Sequence, residues 1–169
     1  KAVNFGIVYG IGDFSLAADI GVTKREAKAY IESYLEKYSG IREFMSGAKE
    51  QARREGYVMT LYGRRRYIPE ISSPRAPLRA FGERVAMNSP IQGTAADIIK
   101  IAMINTSRAL RKAGLDARLI LQVHDELIVE CAEHDKEQAA KILRDCMENA
   151  AKLTVPLTVE LHWGRSWEE

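Results

Sequence analysis

Gln122-Val123-His124-Asp125-Glu126 sets an imidazole and two carboxylates side by side. Short apolar runs flank it, Leu119-Ile120-Leu121 before and Leu127-Ile128-Val129 after. Each run is too short for a helix and carries β-branched residues, so each reads as a strand. The stretch between them is short enough to be a hairpin connection. His124, Asp125 and Glu126 then share a hairpin tip with a strand pinning each side. Carboxylates on a rigid tip suit a hard cation such as Mg²⁺, which prefers oxygen ligands. The plainer reading is a solvated turn, because Asp is a common turn former. On spacing alone both readings stand.

The elements that must hold this tip follow from periodicity. Lys1 to Gly10 reads as a helix in which Lys1, Phe5 and Tyr9 share a face at i, i+4 and i+8, although Gly6 and Gly10 weaken it. Ser15 to Ile20 adds a short helix. Thr23-x-x-Glu26 is a capping box, and the helix it opens is expected to end at Gly40. A second helix ends at Gly56, so the pair suggests a helical hairpin joined at one glycine. Tyr57 to Leu61 and Tyr67 to Ile68 are short strands, and Pro69 to Pro77 is a loop. Leu78 to Asn88 is helical, Pro90 interrupts, and Thr94 to Lys112 resumes. After the two strands around Asp125, Asp135 to Leu153 is an amphipathic helix. Val155, Leu157, Val159 and Leu161 alternate with polar residues as a last strand. Helices first, then strand-strand-helix-strand, make an α+β fold with a small antiparallel sheet backed by helices.

Composition bounds the rest. The 169 residues carry Lys+Arg 25 against Asp+Glu 23, so net charge says little about partners. A 46% hydrophobic and 28% charged chain suits a soluble globular protein. Cys131 and Cys146 fall inside elements, which argues for reduced, packed thiols and against a disulfide framework. No apolar run reaches the length of a membrane span, and no signal peptide is visible. The chain begins at Lys1 inside a periodic element, as expected of a piece cut from a longer protein.

Four stretches together carry a resemblance. Lys1-x3-Phe5-x3-Tyr9-Gly10 is similar to the nucleotide-binding helix motif of family A DNA polymerases, the bacterial DNA polymerase I type, lacking only the Arg that precedes it. Val123-His124-Asp125-Glu126 resembles the palm motif of that family. Thr60-Leu61-Tyr62-Gly63-Arg64-Arg65-Arg66-Tyr67 and the stretch from Arg84 to Asp97 are also similar, in order and without gaps. The resemblance implies a fingers-like segment at 1–80 and the C-terminal half of the palm at 81–169. It also implies that the family's first palm motif, with the other metal-binding carboxylate, lies upstream of Lys1.

What the family does then implies roles. The parent enzyme adds deoxynucleotides to a primer 3′-OH and releases pyrophosphate. Two Mg²⁺ ions about 4 Å apart stabilise the attacking and leaving oxygens. Asp125 is expected as a metal ligand, with Glu126 in support. Lys1 is expected on the triphosphate, Phe5 by the incoming sugar and Tyr9 by the templating base. Arg84, Asn88 and Gln92 recur every four residues, and with His124 they are expected on the template-primer. The minor groove there offers acceptors common to all correct pairs. Arg64, Arg65 and Arg66, with Arg53 and Arg54 upstream, form a basic concentration suited to phosphates. Without the resemblance these would read as core aromatics and solvated polar faces.

The expected partners are template-primer DNA, deoxynucleoside triphosphates and the upstream part of the same polymerase, in a bacterial cytoplasm at the nucleoid. The piece alone is expected to be inactive, and its uncovered sheet edge to favour self-association. The rival reading is a non-catalytic DNA-binding module. A metal-dependent nuclease is a third, with no evident use for a Lys-Phe-Tyr helix.

Overall fold

A computed structural model describes residues 2–167, without the side chains of Ala2, Val3 and Phe5. It divides into two units, Lys1–Thr94 and Ala95–Glu169. No helix is long and apolar enough to cross a membrane among the described residues.

The first unit opens with α1 (Ala2–Val8), α2 (Asp13–Ile20), α3 (Lys24–Lys37) and α4 (Ser39–Glu55). The capping box forms as the sequence predicts. The Thr23 hydroxyl accepts the Glu26 N–H, and the Glu26 carboxylate accepts the Thr23 N–H at 2.9 Å. Gly21 and Gly56 end α2 and α4 in the left-handed region that suits glycine. Gly40 does not end α3. The break falls at Tyr38, whose ψ of 64° leaves the helical range, and Gly40 sits in the first turn of α4. A residue without glycine's freedom makes the corner because φ stays negative, at −112°.

β1 (Tyr57–Met59) and β2 (Arg65–Tyr67) pair antiparallel, with Tyr57 opposite Tyr67 and Met59 opposite Arg65. The expected loop after them tightens into a 3-10 turn at Pro69–Ser72, with Pro in its first turn. Ala52, Val58, Ile68, Ile71 and Ala86 bury together as the core of this unit. Ala86 belongs to α5 (Ala76–Ala113), whose backbone comes very close to the 3-10 turn. A Cβ placed on Gly82 would lie 2.8 Å from the Ile71 nitrogen and 3.0 Å from the Glu70 carbonyl carbon. Only a residue without a side chain fits there.

Pro90 does not interrupt α5; it lies inside one continuous helix of 38 residues. Proline withholds an N–H and crowds the carbonyl one turn back. Packing on either side offsets this, with Ala86 and Met87 buried before it and Asp97 and Ala102 after. Downstream of it, the Thr94 hydroxyl donates to the Pro90 carbonyl at 2.6 Å, a side-chain bond to the preceding turn.

The second unit holds β3 (Ala117–Val123), β4 (Glu126–Cys131), a 3-10 turn at Glu133–Asp135 and α6 (Lys136–Glu148). β3 and β4 pair antiparallel with a register shift between Leu119 and Leu121. Ala102, Leu127, Leu143 and Ala150 form the core, with Ile98, Leu119, Val129, Met147 and Leu161 packed on it. Cys131 and Cys146 are free and part-buried, and burial raises both thiols.

The last expected strand is not one. Residues 155–161 form no strand and pair with none among the described residues, and Val155, expected to face inward, is exposed. The alternation survives as burial, with Leu157, Val159 and Leu161 half-buried and Thr158 and Glu160 exposed. The segment lies on α6 through a side chain: the Val159 N–H donates to Glu148 Oε1 at 3.1 Å. Apolar alternation reports which face is covered, and a ladder also needs a neighbouring strand.

Gly82→Ala should destabilise by about 1–3 kcal/mol in urea melts, because its methyl meets backbone rather than a side chain that can swing away. Gly47→Ala, in α4 with open space around its Cβ site, should instead stabilise by about 0.5–1 kcal/mol. Equal effects would show that the close approach at Gly82 costs nothing.

Hydrogen bonds from Thr23 hold the Glu26 carboxyl below its usual range. A lowered folded-state pKa gives stability that is present at neutral pH and lost as pH falls through that pKa. Thr23→Ala should therefore lower the melting temperature more at pH 7 than at a pH low enough to protonate Glu26. An equal drop at both pH values would remove the Glu26 charge from the cap.

Candidate functional site

The β3–β4 register pairs Val123 with Glu126, so His124 and Asp125 alone make the turn. A two-residue hairpin needs positive φ at one or both turn positions to match the strand twist. His124 has φ 52°, and Asp125 is not in the left-handed region. That sign pattern is the type II′ arrangement, whose first position usually holds glycine. A non-glycine residue there carries strain of about 1–2 kcal/mol, although His is among the residues that tolerate it best. Strain of this kind concentrates where a side chain must be presented at a fixed angle.

Gln122 holds the tip in that shape. Its carboxamide Nε2 donates to the His124 carbonyl at 2.6 Å. Nothing in the residue pattern singles Gln122 out for this role, although it adjoins the polar triplet. His124, Asp125 and Glu126 are all exposed, and Glu126 is the first residue of β4. The hairpin thus brings one imidazole and two carboxylates to a common tip. No group of three or more His, Cys, Asp or Glu residues is placed to hold a metal among the described residues.

The first unit gathers a second set. Lys1 lies outside the described residues, as does the Phe5 side chain. α1 ends at Val8, earlier than the spacing predicts, so Tyr9 sits just past it and is 44% exposed. Gly10 follows with φ 77°, and its Cβ site is filled by the Met87 side chain with Arg84 Cγ 3.5 Å away. The chain after Tyr9 is thereby seated against α5 beside Arg84. Because α5 is continuous through Pro90, Arg84, Asn88 and Gln92 lie on one helical face. Arg84 and Gln92 are exposed. Asn88 is half-buried, and its Oδ1 is shielded with no hydrogen-bond partner.

The basic stretch is smaller than the sequence suggests. Arg53 pairs with Glu83, which Lys49 also approaches at 3.7 Å, and Arg54 pairs with Glu55 at 2.8 Å. Arg64 to Arg66 stay on the exposed β1–β2 hairpin. The turn of that hairpin is bound by hydroxyls. Thr60 Oγ1 accepts the N–H groups of Tyr62 and Arg64, and Thr94 Oγ1 accepts that of Leu61 at 2.9 Å. Thr94 thus serves two elements, a role with no signature in the spacing.

Comparison with known proteins places these residues in context. Residues 1–169 match the model of the family described as DNA polymerase family A. DNA polymerase I of Geobacillus stearothermophilus is 50% identical over 167 residues, which are 99% of this chain and 19% of that relative. DNA polymerase I of Bacillus subtilis (strain 168) is 51% identical over 167 residues, with the same coverage of 99% and 19%. The chain therefore spans about a fifth of the length of the curated relatives it matches. Among solved structures, the POL domain of Pol1 from M. smegmatis in complex with DNA primer-template and dNTP superposes with a TM-score of 0.95. It is 44% identical, and the match covers 99% of this chain and 30% of that one.

His124→Gly removes the left-handed strain and should leave the melting temperature unchanged or raise it. His124→Val puts a branched Cβ at the same φ and should cost about 1–2 kcal/mol relative to the glycine variant. If both variants melt alike, the turn does not impose the angle described.

Proposed function

The chain belongs to DNA polymerase family A, and from that premise we propose that it forms part of a template-directed DNA polymerase. The parent enzyme adds deoxynucleotides to a primer end. The 3′-OH oxygen attacks the α-phosphorus of the incoming nucleotide, and pyrophosphate leaves. The reading divides the chain into a fingers-like segment at 1–80 and the second half of the palm at 81–169. The observation that carries it is the strained two-residue turn presenting Asp125 beside Glu126, within a chain that matches the family along its full length.

Asp125 is the proposed metal ligand and Glu126 its support. Their oxygen donors suit Mg²⁺, which is typically held by one or two carboxylates together with waters and substrate phosphates. The two carboxylates at the tip supply part of such a set, and a further carboxylate from elsewhere in the polymerase completes the site for two ions. Bound there, Mg²⁺ supplies charge stabilisation for the phosphoryl oxygens. Lys1 is the proposed point charge on the triphosphate. Phe5 packs by the incoming sugar, and Tyr9 offers a ring face to the templating base. Arg84, Asn88 and Gln92 on one face of α5, and His124 at the hairpin tip, contact the template-primer. Donors there test acceptors that all correct pairs share in the minor groove. Arg64, Arg65 and Arg66 bear on phosphates, which adds affinity without sequence preference.

The same reading gives DNA and deoxynucleoside triphosphates as partners, in the cytoplasm at the nucleoid. β3 pairs on one side only among the described residues, and Ile120 and Leu121 are exposed along it. The rest of the polymerase covers that strand, and without it the piece is inactive and prone to self-association.

In the full-length polymerase that carries this segment, Asp125→Ala should reduce primer extension by several orders of magnitude while the Kd for primer-template changes by less than about tenfold. Normal extension by the variant would sink the ligand assignment. Loss of DNA binding in step with extension would favour a binding role over a catalytic one.

A further inference from the structure

We propose that the arginines of the β1–β2 hairpin divide two jobs: Arg65 is a positioning residue that clamps the hairpin, and Arg66 is the one that reaches phosphate. The phosphate half rests on the function proposed above. The clamp does not.

Two strands of three residues each are marginal on their own. Directly opposed residues share a face, so Tyr57, Met59, Arg65 and Tyr67 point one way and Val58 and Arg66 the other. On the first face, the rings of Tyr57 and Tyr67 meet edge to face, with centroids 5.5 Å apart and planes at 60°. That is the arrangement ring quadrupoles favour. The Arg65 guanidinium lies over the Tyr57 ring, 4.7 Å from its centroid, within cation–π range. A hydrogen bond to Tyr67, then the charges of the tyrosine oxygens and Glu55, raise its pKa above the ordinary value. One face of the guanidinium is covered by the Tyr57 ring. The three groups tie β1 to β2 at the end away from the turn.

Arg66 is placed differently. Its cross-strand partner is Val58, which is fully buried, so the strand is anchored under it. The Arg66 side chain is exposed and makes no ion pair or ring contact among the described residues. The turn beyond it is fixed by Thr60 and Thr94. A guanidinium held on a stiff hairpin with all five donors open is suited to a phosphate.

The test uses the full-length polymerase that carries this segment and a fluorescein-labelled primer-template, with anisotropy read at several salt concentrations. A residue that neutralises a phosphate lowers the slope of log Kd against log salt by about one when removed. Arg66→Ala should do so. Arg65→Ala should leave the slope unchanged while lowering the melting temperature, and Arg65→Lys should behave in the same way, since an ammonium cannot cover the ring with a flat face. Melts of Arg65→Ala, Tyr57→Ala and the double variant should be non-additive, with the double variant melting no lower than the worse single one. Additive drops in melting temperature would overturn the clamp. A slope lowered by one in Arg65→Ala, or unchanged in Arg66→Ala, would overturn the division of roles. If Arg66→Ala changes neither the Kd nor the slope, the DNA reading of this surface falls, and the melts alone decide the clamp.

Discussion

The missing N–H of Pro90 is the constraint on which much else depends. A proline in the middle of a long helix normally costs about 3 kcal/mol or more and kinks or breaks it. Here the helix continues, and Ala86, buried one turn before the proline, also belongs to the core of the first unit. Thr94 turns its hydroxyl back on the Pro90 carbonyl and offers the same oxygen to the Leu61 N–H. One side chain thereby ties the helix to the turn of the arginine hairpin. The close approach at Gly82 works with it, because it lets the 3-10 turn lie directly on the helix backbone. A helix carried through its proline also keeps Arg84, Asn88 and Gln92 aligned along one face, which a true break would have scattered.

Strain and satisfaction are balanced at the other candidate site. The His124 backbone sits where glycine is usual, and the carboxamide of Gln122 holds it there. The geometry of the tip is therefore set by backbone hydrogen bonding. Its exposed side chains are left to face a ligand. The same logic separates the arginines. Arg53 and Arg54 are occupied by Glu83 and Glu55, and Arg65 lies over the Tyr57 ring.

What the sequence made legible was local. The capping box at Thr23 and Glu26, the hairpin around Asp125 and the glycine end of α4 depend on residues a few positions apart, so spacing alone reveals them. The errors arose where a distant neighbour decides the outcome. Pro90 reads as a break because the buried flanks that carry the helix through it are invisible in a local pattern. Residues 155–161 read as a strand because their alternation is real, but a strand also needs a partner to bond. Gly82 looks like a weak spot in a helix, and only the backbone of Glu70 and Ile71 shows why no larger residue serves. For the candidate site, the residue types came from the motifs. The turn strain at His124 and the role of Gln122 required the register.

The contact between Glu148 and the Val159 amide closes a loop of chain between two points eleven residues apart in sequence. Joining the ends of such a loop costs about 2 kcal/mol of entropy beyond a fixed initiation term. A hydrogen bond to a charged group contributes about 1.5–3 kcal/mol, so it does little more than offset the closure. The surplus comes from Leu161 on the core and from Lys136 lying 4.9 Å over the Trp163 ring. Three weak fastenings share one closure cost, so none holds well without the others. The tail of the second unit therefore engages or lets go as a whole, like a latch with three small teeth.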